Sequence, residues 1–225
     1  MRSATRRPYF QGHAVMARFA LAWELHGGAD HLSPLARLAR SLVERGHQVD
    51  FILRDLGVAS AALGELMQHP HVALWPAPIW QQPSAPLGQP TCNSVDHLMQ
   101  EGYASPSGLL GLATGWRTIL QALDPDLLVA DHAPTALLAA RGLRFPCVQL
   151  ESCAAPIPVP PPQAVQVLNS CNTVLAQLGQ PPLTTLHELL GASTSFRPQS
   201  INAIDQLIAL SQGPQRFSPT PVHPR

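Results

Sequence analysis

Apolar residues fall along this chain in two patterns, and the two alternate. Short apolar runs at 19–23, 49–53, 72–75, 127–130 and 147–150 read as buried strands. Between them, apolar residues fall three and four apart. Leu35, Leu38, Ala39 and Leu42 keep the spacing of one helix face over 34–45. Ser33 suits the cap of that helix, Pro34 its first turn and Gly46 its end. Leu56, Ala59, Leu63 and Leu66 mark one face of a helix within 55–67. Ser94 caps a short helix, and Ser105-Pro106 opens another that runs to Leu123. Further helices are expected near 135–141 and over 163–178. Strands alternating with helices predict a Rossmann-like α/β fold, a parallel sheet with helices on both faces.

Two proline-rich segments interrupt the pattern. One covers 76–93, with Pro76, Pro78, Pro83, Pro86 and Pro90; the other covers 151–162. Loops of this length are usually functional or mobile. Residues 1–15 read as a disordered extension, with Met16 the expected natural start, and 16–190 as one domain. From 191 to 225 Ser, Gln and Pro dominate, and Asp205 is the only acidic residue. Three of the chain's seven isoleucines fall there, so the segment reads as a fused or frame-shifted tail. Ile204, Leu207 and Ile208 nevertheless keep the spacing of a short amphipathic helix.

Composition narrows the partners. The 225 residues carry 14 basic and 14 acidic side chains, so no global field attracts nucleic acid or an anionic membrane. Every basic residue is arginine, which reads as coding bias rather than function. No apolar run reaches the roughly 20 residues of a membrane span. A basic start followed by apolar residues superficially suggests a secretion signal, but Arg18 breaks the apolar part and no small-residue cleavage site follows. Cys92, Cys147, Cys153 and Cys171 are widely spaced, which argues against a zinc site or a disulfide framework. A reduced, cytoplasmic setting is therefore expected.

Candidate chemistry concentrates between the first strand and the first long helix, where His26, Gly27, Gly28, Asp30 and His31 lie. That turn delivers His31 to a helix start beyond the carboxyl end of a strand, which is the ligand crevice of open α/β sheets. A histidine there also serves as a plain turn-binding group. Asp131 ends the fourth strand and equally suits the cap of the helix that follows. His132 is expected to point away from Asp131, because side chains alternate in extended chain. His69 and His71 bracket Pro70 but lack a third metal ligand in sequence, and Cys153 reads as a bystander. Trp75 and Trp116 read as core residues, and Trp80 as a candidate wall of a ligand cavity. The Gly27-Gly28 pair lacks the six-residue fingerprint of a phosphate loop.

The run His31-x-x-Pro34-Leu35-x-x-Leu38-Ala39-x-x-Leu42-x-x-Arg45-Gly46-His47-x-Val49 resembles the opening of family 1 glycosyltransferases. These are GT-B enzymes that move sugar from a nucleotide-sugar to small acceptors. Pro125-Asp126-Leu127-Leu128-Val129-Ala130-Asp131-His132 is similar to the buried strand that the family ends with aspartate. Asn169, Leu175, Leu178-Gly179, Pro181-Pro182-Leu183, Leu186 and Leu189-Leu190 resemble the end of the acceptor-binding half in bacterial members. The likeness spans roughly 16–190. Asp30 stands where the family usually has glycine, so its carboxylate is placed to crowd or re-aim His31.

The resemblance implies that His31 is the general base and Asp131 its partner. A hydroxyl acceptor is a poor nucleophile and needs a positioned base; an imidazole backed by a carboxylate is one near neutral pH. His26, Gly28, Asp30 and Trp80 are the candidate acceptor contacts. The implied reaction is direct displacement with inversion at the anomeric carbon, with no metal and no cofactor. In the family a second, donor-binding domain holds the nucleotide-sugar, and nothing between Gly191 and Arg225 resembles it. The expected protein is thus an acceptor half, truncated and inactive alone. The alternatives are the acceptor subunit of a split enzyme and a non-catalytic small-molecule-binding module. A small-molecule acceptor is the expected partner, with a nucleotide-sugar only where a donor domain is supplied.

Overall fold

The computed structural model describes residues 16–25, 32–81, 94–150, 162–190, 195–196 and 203–212. Strand β1 (Arg18–Trp23) leads to helix α1 (Leu32–Glu44) and strand β2 (Gln48–Leu53). Helix α2 (Leu56–Leu63) continues into a 3-10 turn (Gly64–Gln68) and then strand β3 (Val72–Pro76). Helix α3 (Ser94–Leu98), an irregular turn (Met99–Tyr103) and helix α4 (Pro106–Leu123) follow. Strand β4 (Leu127–Asp131), helix α5 (Pro134–Ala140), strand β5 (Cys147–Leu150) and helix α6 (Pro162–Gln177) continue the alternation. Helix α7 (His187–Leu190), strand β6 (Ser195–Phe196) and helix α8 (Ala203–Ser211) close it.

The sheet is parallel throughout, in the order β3-β2-β1-β4-β5-β6. The five longer strands lie where the apolar runs predict them; β6 carries no such run. Side chains alternate between two core layers. Phe19, Leu21 and Trp23 of β1 join Val49, Phe51 and Leu53 of β2 beneath α1 and α2. Ala20 and Ala22 face the other way, with Ile52, Leu128 and Ala130, toward Tyr103, Trp116 and the apolar faces of α4, α5 and α6. Alanines in the central strands leave room there for the large rings.

The first motif is largely a helix stop. Gly46 has φ +82°, its N–H bonds Val43 O at 2.9 Å, and His47 N–H bonds Leu42 O at 3.1 Å. That is the Schellman pairing, which requires a left-handed residue and hence favours glycine. The buried His47 then accepts the Ala17 N–H through Nδ1 at 3.2 Å, tying the entrance of β2 to that of β1. Leu178-Gly179 ends α6 in the same way, with Gln180 N–H on Leu175 O at 2.8 Å. Asn172 then clamps Leu183 through both its carbonyl and its amide, at 2.7 and 3.1 Å.

Two expectations need correcting. Helix α1 begins at Leu32, so Ser33 lies inside its first turn rather than at its cap. Trp75 is not core: β3 is an edge strand, and the residue is more than a third exposed while its Nε1–H donates to Asp50 at 3.0 Å. Arg18, the charge that breaks the first apolar stretch, is matched by the same carboxylate at 2.6 and 3.1 Å across β1 and β2. Helix α8 forms at the expected apolar spacing. Leu207 is wholly buried in the α1-side layer, with Ile204 and Ile208 packed against it.

Candidate functional site

Strand order reverses between β1 and β4, since β2 and β3 lie to one side and β5 and β6 to the other. Open α/β sheets bind ligands beyond the strand carboxyl ends at such a switch point. The register aligns Trp23 with both Leu53 and Asp131, so β1, β2 and β4 end level. Asp131 therefore stands at the edge from which the loop bearing His31 departs. His31, His26, Gly28 and Asp30 themselves lie outside the described residues, as does Cys153.

Asp131 is buried, and it does not cap α5. The residue at that cap is Ala133, which has no side-chain bond to offer. His132 corrects another expectation. Its φ of +47° takes it out of extended conformation, so strand alternation no longer applies. The turn brings its Nε2 to 4.0 Å from Asp131 Oδ1, while its carbonyl accepts Leu25 N–H at 2.9 Å.

Sequence reasoning missed the buried polar groups surrounding this turn. Glu24 follows the last residue of β1 and is 2 % exposed. Its Oε2 accepts the Thr135 N–H at 2.9 Å, and Thr135 Oγ1 pairs with Tyr103 OH at 2.7 Å. Arg54, after β2, donates through Nη1 to Glu24 O and to Glu101 Oε1, both at 3.0 Å. Glu101 is also buried. Burial pushes the Glu24 carboxyl up to about 8, with nearby Glu101 acting in the same direction against the bonds from Thr135 and Ala136. Burial likewise raises the Tyr103 hydroxyl well above its ordinary value. The available signal was modest: two acidic residues beside apolar segments, at positions where only a paired carboxylate is tolerated.

Trp80 lies against the irregular turn and the start of α4. A methyl group added at Gly108 would come within 2.2 Å of its ring, and one at Gly102 within 2.8 Å. Trp116 is fully buried, as expected. Burial pushes the Cys147 and Cys171 thiols up to about 12, which suppresses the thiolate a nucleophile requires. Among the described residues, no three His, Cys, Asp or Glu side chains gather as a metal-ligand set. No helix among them is long and apolar enough to cross a membrane.

The fold and this edge define a doubly wound α/β domain with a polar, partly buried crevice rim. No protein-family model and no curated protein sequence matches the chain. Solved glycosyltransferase structures do overlap it. The kitacinnamycin glycosyltransferase is 19 % identical over 81 % of this chain and 45 % of its own, with a TM-score of 0.47. SsfS6 from Streptomyces sp. SF2575 is 16 % identical over 80 % of this chain and 49 % of its own, with a TM-score of 0.48. SnogD from Streptomyces nogalater is 18 % identical over 81 % and 45 %, with a TM-score of 0.47. The chain spans about half the length of these structures.

Proposed function

We propose that the chain is the acceptor-binding half of a GT-B glycosyltransferase that transfers sugar from a nucleotide-sugar to a hydroxyl of a small molecule, with inversion. The observation that carries this reading is the pairing of Trp23 with Asp131. It sets a buried carboxylate at the strand ends beside which the segment leading to His31 begins. In this reading His31 takes the acceptor proton as the hydroxyl attacks the anomeric carbon, and the nucleoside diphosphate leaves with the bonding electrons. Asp131 orients the imidazole and stabilises it once charged. His26, Gly28, Asp30 and Trp80 are the proposed acceptor contacts. The nucleotide-sugar is held by a donor domain outside these 225 residues.

The test supplies such a domain, by fusion or as a separate protein, and follows glycoside formation by mass spectrometry. Transfer only when both halves are present supports the reading. Transfer from a UDP-sugar by the 225-residue chain alone would overturn the acceptor-half assignment. A chain that neither binds acceptors nor supports transfer would overturn the glycosyltransferase reading.

A further inference from the structure

We infer that Glu24 is the positioning residue of the crevice rim: it locks the β4–α5 turn in the conformation that sets His132 against Asp131. The inference takes Asp131 to be the acceptor-site carboxylate, and so rests on the reading above.

The turn does not hold itself. His132 occupies the left-handed region, which is unfavourable for a residue with a side chain. Ala133 leaves the first N–H groups of α5 without a side-chain acceptor of their own. Both deficits are met from the end of β1, more than a hundred residues earlier in sequence. Leu25 N–H fixes the His132 carbonyl, and Glu24 Oε2 takes the Thr135 N–H, with the Ala136 N–H also directed to this carboxyl. The two anchors bracket residues 132–135.

The neighbouring elements contribute polar groups around the Glu24 carboxyl. Thr135 comes from α5, and Tyr103 from the irregular turn bonds it. Glu101 lies on that same turn and is paired with Arg54 from the end of β2. Cys171 of α6 lies close to Tyr103. A buried carboxyl in this setting favours its neutral form, in which the carbonyl oxygen can still accept an N–H.

The test uses the 225-residue chain itself and follows the His132 imidazole by NMR across pH. Asp131→Asn should lower the His132 midpoint by a few tenths to about 1 unit, because a charge favouring the imidazolium is lost. Glu24→Ala and Glu24→Asp, which cannot reach Thr135, should lower it in the same way. Neither should lower it further in the Asp131→Asn background. Glu24→Gln, which retains an acceptor oxygen of the same reach, should keep the wild-type midpoint. The Thr135 amide supplies a readout that survives any folding failure of the shortened variants. Its shift should titrate near the Glu24 midpoint in the wild type and stay flat in Glu24→Gln. An unchanged His132 midpoint in Glu24→Asp or Asp131→Asn, or a Thr135 amide indifferent to Glu24→Gln, overturns the inference. Failure of glycosyl transfer with these NMR results intact would remove the proposed reaction and leave the positioning role standing.

Discussion

The contacts at the strand ends make specific demands on single side chains. In an enzyme completed with a donor domain, His31→Ala should lower turnover by roughly 10²–10⁴, the scale of a lost general base. Asp131→Asn should move the acid limb of the pH–rate profile to lower pH, since loss of the charge disfavours the imidazolium. Near-normal turnover in His31→Ala would assign the base elsewhere. Gly108 tests the Trp80 contact with an unusual sign. In a helix, Gly→Ala ordinarily stabilises by about 1 kcal/mol. Here the new methyl meets the indole, so Gly108→Ala should instead destabilise, by about 1–3 kcal/mol in denaturant titration. In a Trp80→Ala background the same change should become neutral or stabilising. A methyl tolerated in the presence of Trp80 would show that the ring is not seated there.

Among whole elements, α8 is the one whose composition and packing point in different directions. Its surroundings in sequence look foreign to the rest of the chain, yet it packs on α1 and β4 and buries Leu207 completely. Leu207→Ala should therefore cost about 2–5 kcal/mol, the range for a core leucine. A loss below about 0.5 kcal/mol, the scale of a surface substitution, would mean that α8 is not docked in solution. Removing 193–225 should also increase aggregation, which light scattering would detect, because it exposes the apolar layer that Leu207 fills.

For the molecule as a whole, the buried Glu24 couples stability to pH. Its carboxyl titrates near 8 when folded against an ordinary 4.5, so the native state holds the proton more tightly than the unfolded chain. The resulting stability is fully present below about pH 4.5 and is lost as pH rises through about 8. Denaturant midpoints should accordingly fall between about pH 5 and pH 9, and Glu24→Gln should flatten that part of the slope. An identical slope in both proteins would mean that other groups set it.

Sequence and tertiary structure decided different things. The strand runs and helix faces were legible because both are imposed locally: a strand buried on both faces is a continuous apolar run, and a helix face repeats every three to four residues. The motifs around Gly46 and Leu178-Gly179 were legible for a related reason: a helix stop needs a left-handed residue at a fixed offset. Their spacing therefore specifies architecture as much as chemistry. The adjacency of β1 and β4, and with it the place of Asp131, came from the order of strands in the sheet, which no local pattern encodes. The orientation of His132 was misread from alternation because the strand ends one residue earlier and the backbone turns left-handed, held by bonds from Glu24 and Leu25 just past β1. Glu24, Arg54 and Glu101 escaped notice because each is ordinary in sequence; only folding brings them together, and only burial makes their pairing obligatory. The chain by itself determined the elements and the candidate loop. Tertiary structure alone decided which buried polar groups support the rim, because the free energy of a desolvated carboxyl depends on neighbours distant in sequence.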